Sequence, residues 1–328
     1  MDMTRRAATG LIIAGAALAP SFSSAQTARP LVIGHRGASG MRPEHTMMSY
    51  REAIAEGADV IEPDLVVTKD HILVARHEND ITVTTDVSTR PEFASRARPA
   101  GRSGAPAWHV EDFTLREYQT LRAVERIPAQ RPENAKYNGR EAPPTLQQVI
   151  DLAKSESARL KRPIGIYPEL KQWAELKAKG FETDKLLLDM LAKNHLPSAN
   201  VPVFLQSFEP DALKAVKGKT AATIVQTTSD RALLTPDGLK QVAEYATGLG
   251  PDYSLVTPQL VENAHKLGIK VHPYTFRAEN SYLPAAYKIG TDPNAHGNLV
   301  AYIRTYLDMG IDGFFTDFPA LGVQARTR

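Results

Sequence analysis

The chain has 328 residues, 42% of them hydrophobic and 23% charged, enough to bury a large core as one α/β barrel with an insertion or as two medium domains. With 39 basic residues against 37 acidic ones, its net charge of +2 excludes an overall pull toward nucleic acid or membrane and makes any anion preference local. The absence of cysteine excludes disulfides, thiolate metal sites and cysteine nucleophiles.

Arg5-Arg6 precede an apolar run from Leu11 to Ala19, and Ser23 and Ala25 supply the small residues of a cleavage site. Residues 1–25 therefore read as an export signal, by the general or the twin-arginine route, too short to insert stably in a membrane. The mature chain, 26–328, is expected outside the cytoplasm. The run Leu31 to Gly34 then delivers His35-Arg36 into a glycine-rich turn, Gly37 to Gly40. Its apolar content and glycine boundary predict a buried parallel strand, with the His-Arg pair at the carboxyl end where α/β enzymes keep their sites. Pro43-Glu44 before Thr46, and apolar or small residues at Met47, Tyr50, Ile54 and Ala58, predict a helix from Pro43 to Gly57. His45 is expected to be a first-turn helix residue that packs locally.

Asp59 to Thr68 is a β-type run interrupted by acids, and the two-residue period of a strand points Glu62 and Asp64 to one face. Val60, Ile61, Leu65 and Val66 bury both faces, as in a central strand, so two inward carboxylates call for a cation. Lys69 to His71 makes a turn, with His71 incidental, and Ile72 to Ala75 returns to place His77 at another strand end. From about residue 79 to 143 the rhythm stops, and between Arg90 and Arg140 nine arginines and one lysine face six acids. This stretch is expected to be an inserted lid or small subdomain, with a helix predicted over Phe113 to Leu121, and reads either as a cationic cover for an anionic substrate or as a solvated face.

Alternation then resumes. Helices are predicted over Thr145–Ala158, Asp184–Asn194, Asp211–Lys217, Pro236–Ala246, Pro258–Leu267 and, last, Asn298–Met309. Strands are predicted over Pro163–Lys171, Val201–Ser207, Thr220–Gln226, the Gly248 link, Ile269–Thr275 and the run from Gly313. Glu169 and Lys171 share a face by the same period. Strand ends at His35, Glu62/Asp64, Glu169/Lys171, Gln206, Gln226, Gly248, His272/Tyr274 and Asp317 make eight β-units, which predicts an α/β (β/α)8 TIM barrel with the insertion after the second strand. No phosphate-binding loop, dinucleotide fingerprint, serine elbow or internal repeat is present.

Glu62, Asp64 and Glu169 would converge at the top of such a barrel as an all-oxygen site for Ca2+ or Mg2+ rather than zinc. Two histidines beside that cation can serve as general base and general acid, while Arg36 and Lys171 neutralise phosphoryl oxygens. Phosphodiester hydrolysis uses all of these parts.

The motifs His35-Arg36-Gly37-Ala38 with Pro43-Glu44, Glu62-Pro63-Asp64-Leu65, His77-Glu78, Tyr167 to Lys171, His272 to Thr275 and Phe315 to Pro319 resemble the glycerophosphodiester phosphodiesterases, in particular their exported bacterial branch. The likeness runs through the mature chain in order. It implies one divalent cation, most often Ca2+ with Mg2+ or Mn2+ as options, held by Glu62, Asp64 and Glu169. It further implies His35 and His77 as the acid-base pair and Arg36 and Lys171 on phosphate, with Glu44, Gln206, His272, Tyr274 and Asp317 behind them or around the substrate. The insertion would help shape the glycerol pocket. The implied reaction releases sn-glycerol 3-phosphate and an alcohol such as choline or ethanolamine, in the periplasm, with no nucleic-acid partner. Two positions depart from the family pattern: His45 stands where Asn is common, and Phe276 where a smaller aliphatic residue is common. The alternatives are a phospholipase- or sphingomyelinase D-like barrel enzyme acting on lipid head groups and a non-catalytic surface-binding protein on the same fold. The lack of an exposed aromatic or amphipathic membrane stretch disfavours the first, and retention of both histidines and all three carboxylates disfavours the second. A glycosidase would leave the histidines and cations without a role.

Overall fold

A computed structural model describes residues 29–100 and 105–327; the expected export signal, residues 1–25, lies outside them. The described chain opens with β1 (Leu31–Gly34) and α1 (Met47–Ala55). The second barrel strand comes in two halves, β2 (Val60–Ile61) and β3 (Asp64–Val67), and β4 (Leu73–Ala75) folds back antiparallel on β3. The insertion follows, with the antiparallel pair β5 (Arg98–Ala100) and β6 (Ala105–Ala107) and the four-residue helices α2 (Leu115–Tyr118) and α3 (Pro132–Ala135). Helix α4 (Leu146–Leu160) leads to the third barrel strand, again halved as β7 (Gly165–Ile166) and β8 (Glu169–Leu170). Then come α5 (Trp173–Ala178), α6 (Thr183–Lys193), β9 (Phe204–Ser207), α7 (Pro210–Val216), β10 (Thr223–Thr228), α8 (Pro236–Ala243), β11 (Gly248–Pro251), α9 (Pro258–Lys266), β12 (Lys270–Val271), α10 (Leu299–Leu307), β13 (Gly313–Thr316) and α11 (Pro319–Arg326).

Strands run β13-β1-β2-β7 in one ladder and β12-β11-β10-β9-β8-β3-β4 in the other, all parallel except β4. The two ladders join through the halved strands, and the ring closes where Phe276 bridges Thr316 and the Asp312 N–H donates to Val271 O at 2.9 Å. The result is a TIM barrel. Both halved strands break at proline, Pro63 and Pro168, because proline has no N–H for the ladder. These breaks bracket the acids: Glu62 and Asp64 flank Pro63, and Glu169 follows Pro168. Alternation sorts the core. Ile33, Val60, Tyr167, Val225 and Phe315 fill the barrel, while Val32, Ile61 and Phe314 face the helices.

The insertion begins in the loop that follows β4 and carries its own small core, in which Ile81, Val87, Phe93, Trp108, Phe113 and Leu121 pack on Val66 and Val74. Its expected nine-residue helix shrinks to α2, because Thr114 and Glu117 form a capping box that is followed by only one turn. Other boundaries also move. The first helix starts at Met47 rather than Pro43, since His45 adopts φ 51° and Thr46 caps the helix by accepting from Ser49 N. The strand expected over Ile269–Thr275 reduces to β12 because Pro273 interrupts its ladder. The strand expected over Thr220–Gln226 spans Thr223–Thr228. Three helices fall outside the expected set, α3, α5 and α11, so the helix over 299–307 is not the last; α11 starts with Pro319 in its first turn. Among the described residues no helix is long and apolar enough to cross a membrane.

Candidate active site

The carboxyl ends of β1, of the two halved strands and of β9 meet at one cleft of about 160 Å3. Glu62, Asp64 and Glu169 are buried there, each with an oxygen within 4.8 Å of the others. Register accounts for this: Asp64 and Glu169 are direct neighbours across β3 and β8, and Glu169 pairs with Gln206 of β9. Gln206 Nε2 donates to Glu62 Oε1 at 2.6 Å while its own oxygen accepts from Thr227 Oγ1 at 2.8 Å, which fixes the amide orientation. Burial, with Asp64 and Glu169 nearby, pushes the Glu62 carboxyl well above its usual range. Burial also raises Glu169, to about 7, although Lys171 opposes it. At Asp64 burial acts upward but is overcome by His45, Lys171 and His77, which hold that carboxyl well below its ordinary value. Among the described residues no donor reaches the buried Asp64 Oδ1. Three crowded, under-compensated carboxylates with an orphaned oxygen fit a hard divalent cation.

Two imidazoles face this cluster from different elements. The turn after β1 needs Gly37 at φ 88°, where a Cβ would stand 2.4 Å from Ser49 Oγ, and it sets His35 with Nε2 3.9 Å from Glu62 Oε2. His35 Nδ1 lies 2.6 Å from Asp317 Oδ1. Beyond β4, His77 Nδ1 lies 2.5 Å from Glu78 Oε1, and its Nε2 stands 3.2 Å from Lys171 Nζ. Burial and then Arg36 push His35 down to about 4 against the pull of Asp317. The same two causes lower His77.

Arg36 donates its backbone N–H to Glu62 Oε2 at 3.1 Å and its guanidinium to Glu44 Oε2 at 2.9 Å, with Nε 3.4 Å from Asp64 Oδ2. Lys171 Nζ donates to Glu169 Oε1 at 2.8 Å; burial works against its charge, but Glu169 and Asp64 raise its pKa. Phe208 and Tyr274, edge to face at 5.6 Å, stand at the mouth with Arg277. A second cleft of about 130 Å3 shares His35 and Arg36 and is walled by Arg126, Ile127 and Arg131 of the insertion. A wider cleft, about 750 Å3, lies between the insertion and the loop after β12 and holds neither His35 nor His77 and none of the three acids.

His35, Arg36, Glu62, Asp64, His77, Glu169, Lys171, Gln206 and Tyr274 thus line one cavity, with Glu44 and Asp317 directly behind. His272 is not there: it is buried in the barrel interior, its Nδ1 3.0 Å from the Tyr167 hydroxyl. His45 departs from its expected role, because its fully buried ring spans Tyr50 OH at 2.8 Å and Asp64 Oδ2 at 3.0 Å and so braces one of the acids. Its φ of 51° lies in the left-handed region that Asn tolerates well, which explains why Asn suits this position. The sequence assigned no role to Glu78, quoted only as the neighbour of His77 in a motif, or to Arg126, Arg131 and Arg277. Only Glu78, next to His77, had a local signal.

The family model described as "Glycerophosphoryl diester phosphodiesterase family" matches residues 35–321. A glycerophosphodiester phosphodiesterase of Arabidopsis thaliana is 33% identical, aligned over 89% of this chain and 85% of its own length. One of Haemophilus influenzae is 28% identical over 90% of this chain and 89% of its own. The structure of an Oleispira antarctica phosphodiesterase in complex with the product sn-glycerol-3-phosphate superposes with a TM-score of 0.64 at 22% identity, covering 90% of this chain and 96% of that one; this likeness speaks to the fold.

Proposed function

This chain belongs to the glycerophosphoryl diester phosphodiesterase family, and from that premise we propose that it hydrolyses glycerophosphodiesters to sn-glycerol 3-phosphate and an alcohol, in a divalent-cation-dependent reaction outside the cytoplasm. The observation that carries the reading is the meeting of three buried carboxylates, two imidazole Nε2 atoms, a guanidinium and an ammonium around one cleft. Glu62, Asp64 and Glu169 would hold the cation, Ca2+ being the preferred ion for an all-oxygen, carboxylate-rich set. Bound there, a divalent ion offsets the charge of the three acids and polarises a phosphoryl oxygen.

The residues of the chain do the rest. Arg36 and Lys171 bind the phosphoryl oxygens and stabilise the charge that builds up in the transition state. One imidazole Nε2 takes a proton from the attacking water as its oxygen bonds to phosphorus. The bond from phosphorus to the head-group oxygen then breaks, and the other imidazole, in its protonated form, returns a proton to that oxygen. Glu78 and Asp317 accept from the Nδ1–H groups and keep both Nε2 atoms turned to the cleft. Gln206 and His45 hold the acids in place. The second cleft, walled by the insertion, is the place for the glycerol moiety.

The test is hydrolysis of a panel of glycerophosphodiesters, beginning with sn-glycero-3-phosphocholine, with and without chelator. Release of sn-glycerol 3-phosphate that stops on chelation and returns with Ca2+, Mg2+ or Mn2+ is expected. No activity across the panel with all three ions present would overturn the proposal.

A further inference from the structure

We propose that the insertion aims both histidines through two arginine-carboxylate relays, Arg126 to Glu78 to His77 and Arg131 to Asp317 to His35, which makes Arg126 and Arg131 positioning residues for the hydrolysis. This inference rests on the acid-base reading above. Each link is short. Arg126 donates to Glu78 from Nη1 at 3.0 Å and from Nη2 at 2.7 Å, and Glu78 accepts from His77 Nδ1 at 2.5 Å. Arg131 Nη2 donates to Asp317 Oδ2 at 2.6 Å, and the other oxygen of Asp317 accepts from His35 Nδ1 at 2.6 Å.

The two relays do the same chemical work. Burial acts to raise both carboxyls, yet the bonds from His77 and Arg126 bring Glu78 down to about 2, and Arg277 and Arg131 hold Asp317 well below its ordinary value. An ionised carboxylate only accepts, so each ring must carry its proton on Nδ1 and leave Nε2 for the reaction. The arginine in turn holds the carboxylate at the angle that points Nε2 into the cleft, as outer partners do for metal-bound histidines.

Both arginines lie within ten residues of the insertion, 125–134, and this segment is tied to the barrel. Arg131 Nη1 and Asn134 Nδ2 donate to Ser39 O at 2.8 and 2.9 Å, and Arg131 Nε donates to Glu279 Oε1 at 2.7 Å. Arg126 also reaches Glu44 from Nε at 3.0 Å and Nη2 at 2.7 Å, and Glu44 holds Arg36. All three side-chain nitrogens of each of these two guanidiniums are thus engaged by acceptors within the protein. The relays differ in redundancy. Arg277 Nε also donates to Asp317 Oδ2, at 3.0 Å, whereas among the described residues Glu78 bonds only His77 and Arg126. The His77 relay is therefore the one to break.

The experiment uses the full mature chain with saturating Ca2+ and sn-glycero-3-phosphocholine, comparing Arg126→Met, Arg126→Lys and Glu78→Gln in the native and His77→Ala backgrounds. Arg126→Met and Glu78→Gln are expected to lower kcat by about 10- to 100-fold with Ca2+ affinity retained, and Arg126→Lys to regain part of the loss. In the His77→Ala background Glu78→Gln should not lower the residual rate further, because the ring it aims is gone, whereas Arg126→Met also loosens Glu44 behind Arg36. Native kcat in Glu78→Gln, or a Glu78→Gln loss that multiplies with that of His77→Ala, would overturn the relay even if Arg126→Met fails to fold. Native turnover in His77→Ala itself would instead overturn the acid-base reading, and the relay with it.

Discussion

At the scale of single residues, the proposed roles divide between carboxylates for a cation and imidazoles for proton transfer, and substitutions should separate them. Glu62→Gln removes one of three anionic ligands while keeping the Gln206 neighbour, so it should act first on Ca2+ affinity, read by titration calorimetry, and should recover turnover at higher Ca2+. His77→Ala should lower kcat by about 100- to 10,000-fold with Ca2+ binding retained. The reverse pattern would exchange the two assignments. Why some of these residues were legible beforehand and others were not is a matter of sequence distance. Glu62 with Asp64, and Glu169 with Lys171, are two apart, and a strand turns such pairs to one face. Arg126 and Arg131 carry no such mark: they sit among nine arginines, and only the docking of the insertion selects these two for Glu78 and Asp317.

Among the elements, the halved strands contribute most to the site. Proline at 63 and 168 interrupts each strand directly before an acid, Asp64 and Glu169, and side chains on both sides of the breaks line the same cavity. Helix α4 shows the more ordinary case in which local sequence signals suffice. Thr145 Oγ1 accepts from Gln148 N at 3.2 Å and Gln148 Oε1 accepts from Thr145 N at 2.9 Å, closing a capping box where the chain leaves the insertion. Thr145→Ala should cost about 1 kcal/mol, seen as a small drop in Tm, with kcat unchanged. A drop in turnover larger than the drop in stability would mean that α4 supports the insertion's hold on the site. Helix α2 was misjudged for a physical reason: its apolar spacing serves the insertion's small core, and a core of that size needs only one turn.

For the whole molecule, acid should loosen the barrel from within. Burial pushes His272 down to about 4 from an ordinary value near 6.5, so the unfolded chain binds this proton before the folded one does. The folded pKa is lowered, so the contribution of His272 is fully retained above 6.5 and lost as pH falls toward 4. Between pH 8 and 5 this amounts to about 2 kcal/mol. His272→Gln should therefore flatten the fall of stability over that range in urea titrations, and an unchanged slope would refute the assignment. The proposed export is tested at the same scale: protein recovered from outside the cytoplasm is expected to begin at Gln26 by N-terminal sequencing, and retention of residues 1–25 would refute the leader.

Eight apolar runs alternating with helical periodicity already determine a barrel, because period and strand count are local properties that any fold must honour, and polar residues at the run ends already mark where chemistry collects. Tertiary structure alone decided the rest. It put His45 on Asp64 instead of in a helix turn, moved His272 off the cleft into the interior, and brought residues 125–134 onto Glu78 and Asp317. Those pairings join residues between 19 and 186 positions apart, most of them through irregular backbone. Irregular backbone has no repeat that carries direction, so only packing determines which side chains meet.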